Sequence, residues 1–263
     1  MAFRIEHFGD TDNCITLEQR NGFKVVEYQR DMSVTPAESA TAYFCSEMNI
    51  RRRQLVCDLS HGNVTIQAGA MQWMLGNVNA TTGVKGVGDL LGKAFKSAVT
   101  KESAIKPEYT GDGILVLEPT YKHLILMDVS EWGGSVVLDD GLFLACESQL
   151  KQKITARTNL SSAIAGGEGL FNLSLHGNGI LCIESPVPYS ELVCIDLDND
   201  ILKIDGNFAI AWSDSLDFTV ERAGKSLIGS AASGEGLVNV YRGSGRVLLA
   251  PIGSSPAIPM PHK

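Results

Sequence analysis

Basic charge is what this sequence is short of: 22 Lys and Arg stand against 30 Asp and Glu, a formal net charge of −8. A general nucleic-acid binder needs a basic face to meet phosphates, so that class of partner is not expected. No uncharged apolar run approaches the ~20 residues of a membrane-spanning helix. The opening MAFRIEHFGDTDN has no basic-then-apolar secretory pattern, and the expectation is a cytoplasmic protein. Proline is sparse at 9 residues, whereas glycine reaches 27, enough for many turns. The six cysteines, Cys14, Cys45, Cys57, Cys146, Cys182 and Cys194, include no CxxC pair and no zinc-like Cys/His spacing. Cys57, Cys146, Cys182 and Cys194 lie in apolar runs and read as small buried hydrophobes. Free thiols agree with a reducing compartment.

Recognisable catalytic patterns are missing as well. His7, His61, His123, His176 and His262 form no HExxH, and no GxSxG elbow exists. His61 and His176 sit beside glycines and read as polar turn residues. Asp196-x-Asp198-x-Asp200 begins like a calcium loop. It has Ile201 where that loop needs Gly and Asn207 where it needs a bidentate Glu, and so reads as a strand-to-strand turn. The glycines at 83, 86, 88 and 92 fail the Walker spacing, with Val87 and Ala94 at required positions. Arg51-Arg52-Arg53 is the one basic triplet and reads as a solvated edge. No catalytic, cofactor-binding or metal-binding residue is assigned, no cofactor is implied, and the expectation is that the protein is not an enzyme.

Repetition is what the sequence has in quantity. TGDGILVLEP, HGNGILCIESP and RGSGRVLLAP place Gly111, Gly177 and Gly243 at steps of 66 residues. Glu102, Glu168 and Glu235 precede these glycines by 9, 9 and 8 residues. Further upstream, Asp58, Asp128 and Asp196 each end an apolar run, followed by a second run around Gly69, Gly141 and Gly206. Three units result, at about 52–119, 122–186 and 190–251. Within them the β-formers alternate or run continuously between Gly, Asn, Asp and Ser, the period of strands, and the GxG strings read as hairpin turns. The expected fold is all-β: three tandem antiparallel β-sandwich-like units in a pseudo-threefold arrangement.

One stretch breaks the period. Val87, Leu90, Leu91, Ala94, Phe95, Ala98 and Val99 have the spacing of an amphipathic helix, inserted over 87–99. Packing against the sheets is the first reading of its apolar face; contact with a protein or a membrane surface is the second. Residues 1–51 match no unit and read as an N-terminal extension packed on the body, with a strand at Phe23–Tyr28. Residues 252–263 read as a loose tail.

The ordered motifs Gly69-Ala70-Met71, Tyr109-Thr110-Gly111-Asp112-Gly113, Asp140-Gly141-Leu142-Phe143, Gly167-Glu168-Gly169-Leu170-Phe171, Gly206-Asn207-Phe208-Ala209 and Gly234-Glu235-Gly236-Leu237-Val238 span residues 52–251. In these the chain resembles the bacterial family related to the yeast altered-inheritance-of-mitochondria protein. That resemblance implies a fold similar to the tryptophan RNA-binding attenuator protein, with β-sandwich units repeated in one chain. It brings no catalytic residues. RNA binding would conflict with the charge balance, and no residue set marks an indole pocket.

The functional expectation is a non-enzymatic β-repeat scaffold or interaction protein, self-associating or bound to a protein partner. The alternatives are a small-ligand module with a pocket between units, and an enzyme whose site is unrecognised. If Glu102, Glu168 and Glu235 gather near one axis they offer a cation site; if each caps a turn they serve folding.

Overall fold

The computed structural model describes residues 3–82, 106–156, 171–206, 208–222 and 237–251. The expected helix at 87–99, the repeated Glu102, Glu168 and Glu235, and the tail at 252–263 lie outside the described residues.

The described chain is mostly antiparallel β-structure, as the period-two pattern requires. Its strands are β1 (Cys14–Arg20), β2 (Phe23–Tyr28), β3 (Arg53–Asp58), β4 (Val64–Ile66), β5 (Met71–Thr81), β6 (Glu108–Leu117), β7 (His123–Asp128) and β8 (Ser135–Leu138). They continue with β9 (Phe143–Glu147), β10 (Lys151–Ala156), β11 (Phe171–His176), β12 (Ile180–Ser185), β13 (Val193–Asp205), β14 (Ala209–Ser213), β15 (Asp217–Arg222) and β16 (Leu237–Leu249). One sheet runs β1-β2-β3-β6-β4-β9-β12-β7 with β5 paired to β6. The other runs β10-β11-β8-β14-β16-β13 with β15 paired to β16.

The three repeated segments divide unequally between the sheets. β3 to β6 belong to the first and β13 to β16 to the second. The middle segment is split, giving β7, β9 and β12 to one sheet and β8, β10 and β11 to the other. Its core cluster therefore lies between two layers: Ile125, Leu181 and Ile183 from the first pack with Val136, Leu138 and Leu175 from the second. Burial of these branched side chains supplies the main driving force.

The GxG strings are not hairpin turns. Gly111 and Gly113 lie inside β6, and Gly243 and Gly245 inside β16. Gly177 and Gly179 lie between β11 and β12, which do not pair with each other. In each segment the string is a corner where the central strand changes neighbours. Before it β11 pairs with β10 and β8; after it β12 pairs with β7 and β9. The corner needs a left-handed backbone, and the three first glycines have φ of +116°, +117° and +114°. A Cβ on Gly111 would also fall on the Asn77 carbonyl oxygen of β5.

Asp58 and Asp128 have a local role. Each Oδ1 accepts from the backbone N–H of the serine two residues on, at 3.0 Å for Ser60 and 2.9 Å for Ser130, capping a short 3-10 turn. Asp196 has no serine two residues on. Its carboxylate instead takes Arg246 Nε at 2.8 Å, and β13 runs on through a bulge between Leu197 and Asp200. The Asp196–Asp200 string thus lies within one bulged strand and makes no turn between two strands.

The N-terminal segment extends the first sheet. β2 pairs with β3, Glu27 opposite Arg53, and β1 pairs with β2. After Pro36 the chain forms α1 (Ser39–Glu47), where Thr35 Oγ1 donates to Glu38 Oε2 at 2.7 Å beside the first turn. This helix buries none of its residues.

Candidate interaction surface and the cleft beside it

Successive segments are joined by two strand pairs of the same kind. β4, the strand before Gly69, pairs with β9, the strand after Gly141. β8, the strand before Gly141, pairs with β14, the strand after Gly206. Every residue of β4, β9 and β14 is buried, and so are three of the four in β8. Inserted between neighbours on both sides, these strands lose both edges to the sheet.

One strand of each kind remains. The half of β5 that follows Gly69 pairs only with β6 among the described residues, and the half of β13 that precedes Gly206 pairs only with β16. Both are exposed: Met74 retains 45% of its accessible surface and Ile201 retains 52%. β5 has no charged side chain from Met71 to Thr81. Such an edge offers a row of unpaired backbone donors and acceptors to an incoming strand. In β13, Asp200, Lys203 and Asp205 put charge on the edge.

A cleft opens where the first two segments meet. Gly69 and Gly141, each at φ +81°, turn the chain so that Gln67 N donates to Leu144 O at 2.7 Å and Glu184 N to Leu142 O at 2.8 Å. The cavity of about 310 Å³ has Phe143 and Leu144 among its walls, and Glu118 and Glu184 among its polar lining. Lys122 Nζ sits 2.6 Å from the Glu184 carboxylate, and Lys106 Nζ lies 4.8 Å from the centre of the Phe143 ring. The cleft thus sets carboxylates beside an aromatic wall. Gln67 and Thr120 complete the polar side chains of the lining.

The remaining polar groups are dispersed. His61 faces Asp58 at 3.6 Å, and His176 faces Asp214 at 3.7 Å, two pairs far apart in the sequence. Among the described residues no group of three or more His, Cys, Asp or Glu side chains is arranged to hold a metal. Cys57, Cys146 and Cys182 are buried, and burial pushes the Cys146 thiol up to about 12. Cys194, expected to be buried with them, is exposed: it belongs to no core cluster and lies on the face of β13 opposite Leu197, which packs against the core.

The arginine triplet is not a solvated edge. Arg53 is buried, with Nη2 2.7 Å from Glu27 Oε2 and 2.9 Å from Asn49 Oδ1. Arg51 Nη1 reaches Glu27 Oε1 at 3.2 Å, and Arg52 Nη2 reaches Asp31 at 2.7 Å. The cluster fastens the N-terminal segment to β3. Strand parity carries its signal: Glu27 follows Phe23 and Val25 on the inward face, and Arg53 precedes Leu55 and Cys57.

A two-sheet antiparallel β-protein assembled from successive strand-joined segments, with β5 and β13 among the edge strands of its described residues, is the class defined by this geometry. The chain belongs to the mitochondrial biogenesis AIM24 family, whose profile matches residues 48–252. An uncharacterised protein of Streptococcus pyogenes serotype M6 is 32% identical over 201 residues, covering 73% of this chain and 78% of that protein. A crystal structure of a Streptococcus pyogenes protein, a structural genomics target, is 28% identical. It covers 78% of this chain and 90% of its own, with a TM-score of 0.57. No helix among the described residues is long and apolar enough to cross a membrane.

Proposed function

We propose that this protein is a non-enzymatic β-repeat scaffold in the cytoplasm that works by binding further copies of itself. One observation carries the reading: β5 is an eleven-residue edge strand without charge, whose counterparts β9 and β14 are buried in the sheets. Exposed apolar sheet edges are normally protected, so one left open calls for a partner strand. Native mass spectrometry and light scattering across a concentration series test this, with concentration-dependent oligomers expected. A monomer at every concentration overturns it. So does turnover above background in a screen of ester, phosphate and glycoside substrates.

The cleft between the first two segments favours a second reading, a small-ligand module. At about 310 Å³ it lies at the lower end of ligand-pocket volumes. A co-purified small molecule in the native mass spectrum, lost on Phe143→Ala, would support it.

A further inference from the structure

The self-association reading leaves open which surfaces meet. We infer that β13 of a second copy adds to the free edge of β5, antiparallel, with its Leu202 opposite Met74. This inference rests on the self-association reading and assigns it a specific contact.

The chain itself contains the pattern for that contact. Both internal joins pair the strand before one glycine turn with the strand after the next. Carried one step further, the same rule pairs the strand before Gly206 with the strand after Gly69. Those are the second half of β13 and the first half of β5, the two members without a partner among the described residues.

Register follows from the first join. Thr65 pairs with Cys146, which places a residue four before one glycine opposite a residue five after the next. The second join pairs Val137 with Trp212, one residue further along. Transferred to the free strands, the first join sets Leu202 against Met74, and the second would set it against Leu75.

Pairing shows that one copy does not make this contact alone: among the described residues β5 pairs with β6 in the first sheet and β13 with β16 in the second. Met74 and Ile201 on these strands are 45% and 52% exposed, so both strands are open to a second copy. Charge selects between the possible pairs of copies. Two β13 edges side by side would bring Asp200 and Asp205 of each copy into one small sheet, where like charges oppose pairing. β5 has no charge to oppose either aspartate or Lys203. The contact is head-to-tail, so each copy retains one further β5 or β13 edge. The assembly either closes into a ring or extends as a chain.

The test uses full-length protein with Cys45→Ser and Cys194→Ser, to remove the reactive thiols. One preparation carries Met74→Cys and another Leu202→Cys. Oxidation of the mixture is expected to give a disulfide-linked heterodimer, with little dimer from either preparation alone. Met74→Lys, at an exposed position, is expected to weaken association about tenfold or more while leaving the melting temperature close to that of the parent. Self-association that persists in Met74→Lys and yields no mixed disulfide would overturn this contact while leaving self-association standing. Dimers from Met74→Cys alone would overturn it in favour of a symmetric β5 pair. A monomeric disulfide in a chain carrying both cysteines, without the mixed dimer, would show closure within one copy and overturn it too. A parent protein that never associates overturns both readings.

Discussion

Glu27 and Arg53 face each other across the β2–β3 pair, with carboxylate and guanidinium 2.7 Å apart and side chains at most 4% exposed. Arg53 also donates to Asn49 O at 3.1 Å and Arg51 O at 3.2 Å, and Glu27 accepts from Gln29 Nε2 at 3.1 Å. A buried ion pair is tolerable when both partners are held this fully, because each hydrogen bond replaces one lost from water. The pair sits where the N-terminal segment meets the repeated body, so its energy is also the energy of that attachment.

Removing one partner should therefore cost far more than removing both. Glu27→Gln strands the Arg53 charge in the interior, and a loss of about 3–5 kcal/mol is expected by urea denaturation. The double change Glu27→Leu with Arg53→Met should lose less than the two single changes added together. Additive losses would show that the two side chains are not energetically coupled.

His123 links this cluster to pH. Burial, with the nearby Arg53 charge adding to it, lowers the imidazole from 6.5 to about 4. In the unfolded chain the ring binds its proton near pH 6.5, so unfolding takes up a proton between the two values. The contribution is present in full above pH 6.5, declines as pH falls, and is gone below about 4. A loss of about 1–2 kcal/mol across this window is expected, after allowing for partial exposure of the ring. His123→Gln should remove that part of the slope in denaturation curves measured from pH 7 to pH 4.

Two equivalent corner glycines should differ in their tolerance of alanine. Gly111 and Gly177 share nearly the same φ, so both substitutions carry backbone strain of about 1–3 kcal/mol. At Gly177 the new methyl would meet Leu150 Cδ2 at 3.6 Å and Gln149 O at 3.9 Å, ordinary contacts. At Gly111 it would fall on the Asn77 carbonyl, forcing β5 away from β6. Gly111→Ala should lower the melting temperature more than Gly177→Ala, by calorimetry on matched samples.

Thiol labelling should separate the cysteines by place in the sheet. Cys194 is expected to react in the native protein, whereas Cys57, Cys146 and Cys182 react only after denaturant is added. Cys194→Ser should abolish the corresponding native adduct in a mass spectrum. Native labelling of Cys182 would contradict its burial.

Much of the β-structure is legible from local alternation. The strand at Phe23–Tyr28 has the bounds expected from its β-formers, and the glycines at 111, 177 and 243 mark equivalent positions because only a residue without Cβ makes that corner at low cost. The meaning of the corner is not local. A glycine between two apolar runs reads the same whether the runs pair with each other or with other strands, and here they pair with other strands. Likewise α1 follows a small-residue stretch with no amphipathic stripe, and it buries nothing. No core-facing periodicity was available to announce it.

Composition and periodicity by themselves determined an all-β chain with three recurring sets of landmarks. They did so because side-chain alternation and glycine's backbone freedom act over a few residues. Tertiary structure decided which strands are covered on both faces. CIES in β12 and VCID in β13 are both short apolar runs containing cysteine, yet Cys182 is buried and Cys194 exposed. Both faces of β12 are covered, Leu181 and Ile183 in one core cluster and Ile180 and Cys182 in another, whereas Cys194 belongs to none. Burial of a strand's side chains depends on what covers its two faces, and that cover comes from distant parts of the chain.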